Sequence, residues 1–460
     1  MEFTALLLVG ILLVVTFVYQ RYKKIDNLPP GPWNLPIFGY LPWLNPKEPY
    51  VSLTKLSQKF GPIYGFYLGS IYTVVISDVK LLKQIFFKDA ASGRPPLHLT
   101  KITIDGKGII FAQGDLWKDQ RKLVHNFLRT LGASKVSQNR NKMEANIMKS
   151  VLDLIEHIGS KGGQVVPKLT EILVHNVGSI ISRITLGKSW SRDDPTWRTL
   201  LGLLDEGSRL MGVAAPLNFL PFLRNYREII AEGKWSSDDK SVSNLIQAFI
   251  TEKAKRQGIT ENFYSEKQFH FLLSDIFGAG LETTVNSILW YILYMAVHQE
   301  IQNKVRQELA EVLRGNLPTT DDLPMLPYTE ATLAETLRIR SIAPLGIPHA
   351  AMEDLKVEKF TIPKGAMILP LMWAIHMNPK IWDDPESFKP ERFISKEGKF
   401  HKPESFIPFQ IGKRMCVGEE LAKMSLFLFG ATILQKFKVE CDDRAKIDLT
   451  GICGLTLTPK

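Results

Sequence analysis

The sequence has few cysteines: only Cys416, Cys441 and Cys453 occur in 460 residues. So sparse and odd a set excludes a disulfide framework, and we expect most of the chain to lie in a reducing compartment. The sequence also lacks a compact lysine and arginine run or a nucleic-acid-binding motif, although its formal net charge is +10. We therefore expect no nucleic-acid partner, and an anionic membrane surface or an acidic protein is favoured instead.

Internal repeats, low-complexity tracts and a second linker are also missing. Hydrophobic residues make up 45% of the chain, which is enough for a large core. Helical periodicity dominates, and Gly69-Ser70 between two strand patterns predicts a hairpin. The predicted strands are Ile63 to Leu68, Tyr72 to Ile76, Lys356 to Thr361 and Ala366 to Leu371. The predicted fold class is mainly α with a minor β part, in one domain.

The amino terminus begins with an uncharged apolar run from Phe3 to Tyr19. As a helix it would extend roughly 25 Å, close to the hydrocarbon thickness of a bilayer. Basic residues follow the run and Glu2 precedes it, which is the reverse of a cleaved signal peptide. We therefore predict a single-pass anchor over residues 1–24, with the amino terminus lumenal and the body cytosolic. The helix-breaking Leu28 to Pro32 predicts a proline-rich hinge over 25–35, before a globular domain over 36–460.

Cys416 lies in the segment Phe409 to Gly418, directly before a helix-like run from Glu419 to Phe437. The positive end of a helix dipole and two neighbouring basic residues favour a thiolate. Gly412 and the final glycine of the segment would let the backbone approach a flat ligand closely. A lone cysteine is more often a small buried apolar residue. A cysteine nucleophile is another alternative, but the sequence identifies no convincing partner histidine.

The segment Phe277 to Thr284 interrupts an apolar helix with two glycines and the pair Glu282-Thr283. Polar residues in the middle of an apolar helix are costly unless they have partners or a function. In one interpretation the threonine bonds back to the preceding turn and bends the helix. In the other, the loosened helix opens a groove for oxygen and the pair manages protons. The two interpretations are compatible.

Five further residues, in three segments of the chain, carry side chains that can form ion pairs, donate hydrogen bonds or titrate. Glu335 and Arg338 are spaced i, i+3 and can pair on one helix face, although most such pairs are surface decoration. Trp117 and Arg121 place an indole donor and a guanidinium one turn apart. For His349, which follows a proline, a core or surface histidine is the default interpretation.

The pattern around Cys416 resembles the haem-binding loop of the cytochrome P450 family, and Ala279 to Thr283 resembles its oxygen-activation motif. The resemblance runs from the amino-terminal segment to near the end of the chain. It implies the family fold, a triangular helical prism that encloses haem b with Cys416 as the axial iron ligand. It also implies a monooxygenase reaction, in which a substrate, O2 and two electrons give a hydroxylated product and water.

The resemblance implies roles for individual residues. Glu282 and Thr283 would deliver protons, and Glu335 and Arg338 would join Arg392 in a buried scaffold behind the haem. The resemblance also implies five residues that contact haem. The haem propionates would be held by Trp117, Arg121, His349 and Arg414, and the fifth residue is Phe409.

The resemblance is to the microsomal animal type, which implies the endoplasmic reticulum membrane. Electrons would come from NADPH through the FAD and FMN of NADPH–cytochrome P450 reductase, an acidic flavoprotein. Candidate docking residues are Lys118, Lys122, Lys413 and Lys423. Two features depart from the family pattern. The stretch Glu232 to Phe263 is shorter, and the chain stops at Lys460, soon after the substrate-facing turn Gly451 to Leu455.

Within the family, several segments resemble insect ecdysteroid hydroxylases that act at carbon 25, which implies a lipophilic sterol-like substrate of moulting-hormone synthesis. These segments are Gly39 to Pro42, Gly93 to Thr100, Asn218 to Arg224 and Leu337 to His349. One alternative is a general xenobiotic or fatty-acid hydroxylase. Another, from a different class, is a haem-thiolate binding protein or sensor without turnover. The Glu282-Thr283 pair argues against a sensor, because a binder needs no proton delivery.

Overall fold

A computed structural model describes residues 27–97, 105–210, 244–256, 263–442 and 447–460. The predicted anchor over 1–24, the segment Asn218 to Arg224 and most of Glu232 to Phe263 lie outside these ranges. Among the helices within them, none combines the length and apolar character needed to cross a bilayer.

The described part of the chain is mainly helical, as predicted. Its α-helices are α1 (Pro49–Phe60), α2 (Val79–Phe86), α3 (Gly114–Leu131), α4 (Arg140–Gly159), α5 (Leu169–Leu186), α6 (Pro195–Leu210), α7 (Leu245–Lys255), α8 (Glu266–Val297), α9 (Gln299–Leu313), α10 (Pro327–Ile339), α11 (Met372–His376) and α12 (Glu419–Lys436). Short 3₁₀ segments occupy Leu41–Trp43, Asp89–Ala91, Thr320–Met325 and Pro390–Phe393.

The minor β part forms small sheets. Its strands are β1 (Ile63–Leu68), β2 (Ile71–Ile76), β3 (His349–Ala350), β4 (Leu355–Val357), β5 (Phe360–Ile362), β6 (Met367–Pro370), β7 (Ile452–Cys453) and β8 (Leu457–Thr458). The order in the largest sheet is β1-β2-β6-β3, with β2 and β6 parallel and the other neighbours antiparallel. The β4–β5 and β7–β8 hairpins are separate.

The predicted hairpin at Gly69 is confirmed, with Ile63 opposite Ile76. The prediction of one strand from Lys356 to Thr361 is wrong, because that stretch is a tight hairpin of β4 and β5. Glu358 has a positive φ of 50° there, which makes a tight turn. The distribution of apolar residues in this stretch does not predict that conformation. The strand predicted from Ala366 to Leu371 is confirmed as β6.

The long helix α8 lies inside the molecule and packs against α5, α10 and α12. Its first turn is capped by Ser265, whose hydroxyl accepts a hydrogen bond from the backbone N–H of Gln268 at 3.1 Å. Buried residues occur all round α8, as expected of a helix enclosed by others. The Glu282-Thr283 pair lies in the middle of this enclosed helix, so the packing of the whole domain fixes its position.

Candidate active site

The segment before α12 folds into a tight turn around Cys416. The backbone N–H of Cys416 donates to the carbonyl of Phe409 at 3.0 Å, which closes the turn. Gly412 has a φ of 83°, and a β-carbon there would overlap the carbonyl of Phe86. That same carbonyl accepts from the N–H of Lys413 at 2.9 Å. Glycine is therefore required where this turn meets the end of α2.

The Cys416 residue is solvent-accessible, yet the protein around its sulfur is dense enough to raise the pKa of the thiol. Burial is the larger effect, and it outweighs the Gly418 N–H and the charge of Arg121, which both lower the pKa. The basic neighbours therefore act in the direction expected from the sequence, but burial of the thiol outweighs them. A bound metal cation would supply the missing stabilisation of the thiolate.

The Phe277 to Thr284 segment is continuous helix within α8. The hydroxyl of Thr283 donates to the carbonyl of Ala279 at 2.7 Å, which is the back-bonded arrangement foreseen for this threonine. A β-carbon on Gly280 would press against Ile181 of α5, whereas one on Gly278 would meet no atom within 4 Å. The first glycine therefore leaves open space beside the helix, and the second permits close helix packing.

The other member of the pair, Glu282, points to a partner far away in sequence. Its Oε1 accepts a hydrogen bond from the hydroxyl of Thr456, just before β8. The carboxylate therefore joins α8 to the carboxyl-terminal hairpin.

Arg414 is buried beside Cys416 and is held by three backbone carbonyls. Its Nε donates to Ser92 at 2.9 Å, its Nη2 to Ala112 at 2.6 Å and its Nη1 to Ile109 at 3.3 Å. The guanidinium carbon lies 3.9 Å from the centroid of the Trp117 ring, close enough for a cation–π interaction. Trp117 and Arg414, which the resemblance implied as haem-contacting residues on separate segments, are therefore in contact.

Arg121 reaches the same place from α3. Its Nη2 donates to the carbonyl of Met415 at 2.7 Å, and its guanidinium lies 6.0 Å from the Trp117 ring. Burial lowers the pKa of Arg121, and the Cys416 thiolate form would raise it. The cation is therefore close to the sulfur. Phe409, the remaining residue implied to contact haem, is partly buried, and Lys423 Nζ lies 5.6 Å from its ring.

Arg94 belongs to this cluster, although the sequence analysis named it only within a segment of subfamily resemblance. Its Nε donates to Ile110 at 2.7 Å and its Nη1 to Pro348 at 2.7 Å, so it ties the stretch before α3 to the stretch before β3. Burial lowers the pKa of Arg94, and the neighbouring Arg121 lowers it further. The feature of the sequence that could have pointed to Arg94 is its place between a glycine and two prolines.

Asp275 is a second residue that sequence reasoning missed. It lies on α8 and accepts from the backbone N–H groups of Ile109 and Ile110 at 2.7 and 2.8 Å, so it clamps the stretch before α3 onto α8. Burial raises its pKa to about 7, against the opposing effects of those N–H groups and the charge of Arg94. The feature of the sequence that could have pointed to Asp275 is an acidic residue in an apolar helix, two turns before Thr283.

These residues give the site a buried excess of positive charge. Arg94 and Arg121 both lower the pKa of Arg414, which shows that the three cations are close together, and Asp275 is the acid that offsets Arg94. Arginine does not lose its proton in proteins, so the cluster calls for an anionic ligand. Haem fits it, with two carboxylates for the cations and an iron for the nearby thiolate. When bound, haem supplies O2 binding and activation.

His349 is fully enclosed at the edge of the same cluster. Its ring stacks on Phe86 with centroids 3.9 Å apart, its Nδ1 lies 2.8 Å from the carbonyl of Ala91, and its Nε2 faces Gln410 at 3.4 Å. Burial lowers its pKa to about 3, so the imidazole is neutral. Because the carbonyl of Ala91 only accepts, Nδ1 carries the proton, and Nε2 can accept from Gln410 only if the amide turns its NH2 group, in place of Oε1, towards the ring.

The structure also brings together Glu335, Arg338 and Arg392. The Arg338 guanidinium binds the Glu335 carboxylate through two nitrogens and donates further to the carbonyl of His376 at 2.8 Å. Arg392 Nε lies 3.3 Å from Glu335 Oε1, and the backbone N–H of Lys389 donates to the same oxygen at 2.9 Å. The pair on α10 is therefore buried structure and not surface decoration.

The chain is similar to known proteins over nearly its whole length. The family model described as Cytochrome P450 matches residues 29–460. The chain is 34% identical to Cytochrome P450 18a1 of Drosophila melanogaster, over 98% of this chain and 89% of that protein. It is 34% identical to Cytochrome P450 306a1 of the same organism and 32% identical to human Cytochrome P450 2U1, each over 99% of this chain and 92% of the relative. The chain thus belongs to the cytochrome P450 family and is a haem-dependent monooxygenase.

Proposed function

We propose that this monooxygenase hydroxylates a lipophilic, sterol-like substrate, namely an ecdysteroid precursor at carbon 25. The observation that carries the proposal is the meeting of the expected substrate-facing turn with a segment that resembles the carbon-25 hydroxylases. The backbone N–H of Leu457, just after the turn Gly451 to Leu455, donates to the carbonyl of Ile342 at 2.8 Å. Ile342 lies in the segment Leu337 to His349, which resembles the carbon-25 hydroxylases and is apolar from Ile342 to Pro348. An apolar segment of this kind beside the substrate suits a lipid more than a charged molecule.

We assign Cys416 as the axial ligand of the haem iron. Arg121, Arg414 and the Trp117 indole would bind the propionates. Phe409, the first residue of the segment that contains Cys416, would contact the haem. His349 would contact a propionate through Nε2, in competition with the amide of Gln410, and would have to take up a proton to donate there. Glu335, Arg338 and Arg392 would hold the loop side of the site rigid.

Glu282 and Thr283 would move protons to the oxygen side of the haem. Thr283 already donates to Ala279, so its hydroxyl oxygen can also accept a hydrogen bond from a water in the space beside Gly278. Glu282, the residue before Thr283 on α8, would take up a proton from solvent and pass it on. Without this directed delivery, O2 would be reduced to hydrogen peroxide, with two electrons from NADPH and two protons from solvent, and the substrate would not be hydroxylated.

We also propose that the enzyme is held in the endoplasmic reticulum membrane by residues 1–24, with the domain over 36–460 in the cytosol. NADPH–cytochrome P450 reductase would then supply electrons through its FAD and FMN. Two of the candidate docking lysines meet at one carboxylate: Lys413 and Lys118 lie 2.5 and 3.5 Å from Asp89. Protease added outside intact microsomes should digest the domain, whereas protection or glycosylation of the domain would contradict this orientation.

The substrate proposal is tested by product analysis. Microsomes containing the protein and the reductase are supplied with NADPH and a panel of radiolabelled sterols, ecdysteroid precursors and fatty acids. A carbon-25 alcohol formed from an ecdysteroid precursor supports the proposal, and the Cys416→Ala variant is the control for background turnover. Hydroxylation of fatty acids alone would favour the general hydroxylase. A normal carbon monoxide spectrum without any product would favour a haem-thiolate sensor.

A further inference from the structure

One face of α8 is bonded at three successive turns to the carboxyl-terminal hairpin of β7 and β8. Glu282 accepts from the hydroxyl of Thr456, and Asn286 Nδ2 lies 2.9 Å from that hydroxyl and 3.0 Å from the hydroxyl of Thr458. One turn further, the indole N–H of Trp290 donates to the carbonyl of Leu457 at 2.9 Å. The spacing of four residues places all three α8 side chains on one face, so the hairpin lies along the helix.

The chemistry of these groups fixes the direction of the hydrogen bonds. A carboxylate only accepts, so Thr456 must donate its single hydroxyl proton to Glu282. The same oxygen can then only accept from Asn286, which therefore presents its NH2 group to both threonines. Thr456 is 3% exposed and Asn286 is 4% exposed, so water competes little for these bonds. The result is a one-way chain from the Asn286 amide through the Thr456 hydroxyl to the Glu282 carboxylate.

We propose that Thr456 is a positioning residue for oxygen activation: its hydroxyl orients the Glu282 carboxylate beside Thr283. This inference rests on the proton-delivery role proposed for Glu282 and Thr283. A hydrogen bond to a charged group is strong and directional, so its loss removes one restraint on the orientation of the carboxylate. The hairpin carries the proposed substrate-facing turn as well. A displacement of that turn by substrate would therefore reach the proton donor through one side chain.

The chain offers a matched control. Thr456→Val and Thr458→Val each remove one hydroxyl that accepts from Asn286, so the structural losses are alike. The hydroxyl of Thr458 has no bond to Glu282 among the hydrogen bonds of the described residues, whereas that of Thr456 does. Any difference between the two variants therefore reports on the carboxylate contact. Thr456→Ser restores the hydroxyl, and Glu282→Gln tests the carboxylate itself.

The experiment uses each full-length variant with the reductase, and measures product and hydrogen peroxide per NADPH across pH. The haem content, the reduced carbon monoxide spectrum and the thermal unfolding midpoint are measured alongside, because they report folding without turnover. We expect Thr456→Val to lower the ratio of product to peroxide about tenfold and to change its pH profile, as the loss of one hydrogen bond to a charged group predicts. Thr458→Val should leave both unchanged, and Thr456→Ser should restore them. The carbon monoxide spectra should match throughout.

Equal behaviour of the two valine variants would overturn the inference, because Thr456 would then be a tether like Thr458. So would a lowered ratio in Thr456→Val that Thr456→Ser fails to restore. The underlying proposal fails separately. If Glu282→Gln itself keeps the normal ratio of product to peroxide, Glu282 does not deliver protons, whatever Thr456 does.

Discussion

Glu335 and Arg338 form a bidentate ion pair in which neither side chain has any exposed surface. Arg338 Nε lies 2.6 Å from Glu335 Oε2, and Arg338 Nη2 lies 2.7 Å from Glu335 Oε1. Each charge has further partners, because the arginine donates to backbone carbonyls and the carboxylate accepts from Arg392 and a backbone N–H. A buried pair with every group bonded is rigid, and the loss of one partner leaves a charge with nothing to neutralise it.

Glu335→Gln should therefore destabilise the protein strongly. We expect a loss of about 3–5 kcal/mol in the free energy of unfolding, measured by denaturant titration, together with less haem retained on purification. The control is Glu391→Gln, which breaks the exposed pair with Lys304 at 3.0 Å and should cost less than about 1 kcal/mol. Similar small losses in both variants would show that the buried pair contributes little.

Cys416 is expected to be the thiolate ligand of the iron. Cys416→Ala should remove the red-shifted Soret band of the reduced carbon monoxide complex, because only a thiolate ligand gives that band. Cys441→Ala and Cys453→Ala should keep it. An unchanged band in the Cys416 variant would show that another residue holds the iron.

Thr283→Ala should bind haem and substrate normally but release most of its electrons as hydrogen peroxide. The hydroxyl group that passes the proton is then missing, while the helix is kept by the backbone. The measurement is product and peroxide formed per NADPH consumed. A ratio equal to that of the unmodified enzyme would mean that the threonine, bonded to Ala279, only shapes the helix.

Acid should destabilise the folded protein through His376. Its Nε2 accepts from the N–H of Ile407 at 3.1 Å and its Nδ1 lies 2.8 Å from Ser341, and burial lowers its pKa to about 3. The unfolded chain takes up a proton near the ordinary value of 6.5, so the contribution is present above that pH. It is lost as pH falls towards about 3, by an amount on the order of 5 kcal/mol.

His376→Asn should therefore flatten the dependence of the unfolding free energy on pH between about 6.5 and 3 by roughly one proton. His349, which has a similarly lowered pKa, contributes a second proton that this variant keeps. The His401→Asn variant, at an exposed position, is the control for the substitution itself. An identical slope in both variants would contradict the assignment.

Electron supply is expected to depend on the lysines around Asp89. Reversal of charge at Lys118 and Lys413 should slow reduction by the reductase, most at low ionic strength, because exposed charges chiefly affect association. Asp89→Asn should do the opposite, since it frees both lysines for an acidic partner. Turnover driven by added peroxide bypasses the reductase and is the control. An equal loss in both assays would mean that the haem site itself was damaged.

The sequence alone determined the features that depend on neighbouring residues. The β1–β2 hairpin follows from two runs of aromatic and β-branched residues on either side of Gly69. The start of α12 follows from a glycine before a helix-forming run, and both features depend on local backbone preference. The thiolate loop and the acid–threonine pair were recognisable because residues at short fixed spacings perform that chemistry. The boundary of β4 and β5 was missed, since a positive φ at Glu358 has no clear signature in sequence.

The tertiary structure decided which distant groups meet. Arg94 joins Ile110 and Pro348, and Asp275 bonds the stretch before α3, only because α8 and the sheet bring those segments together. Glu282 and Thr456 are 174 positions apart, so no periodicity links them. The extent to which the Cys416 thiol is buried is likewise a property of the packed chain, and burial raises the pKa of that thiol while neighbouring cations lower it. Burial and long-range contact are properties of the packed chain, because they depend on what surrounds a residue in space and not on its neighbours in sequence.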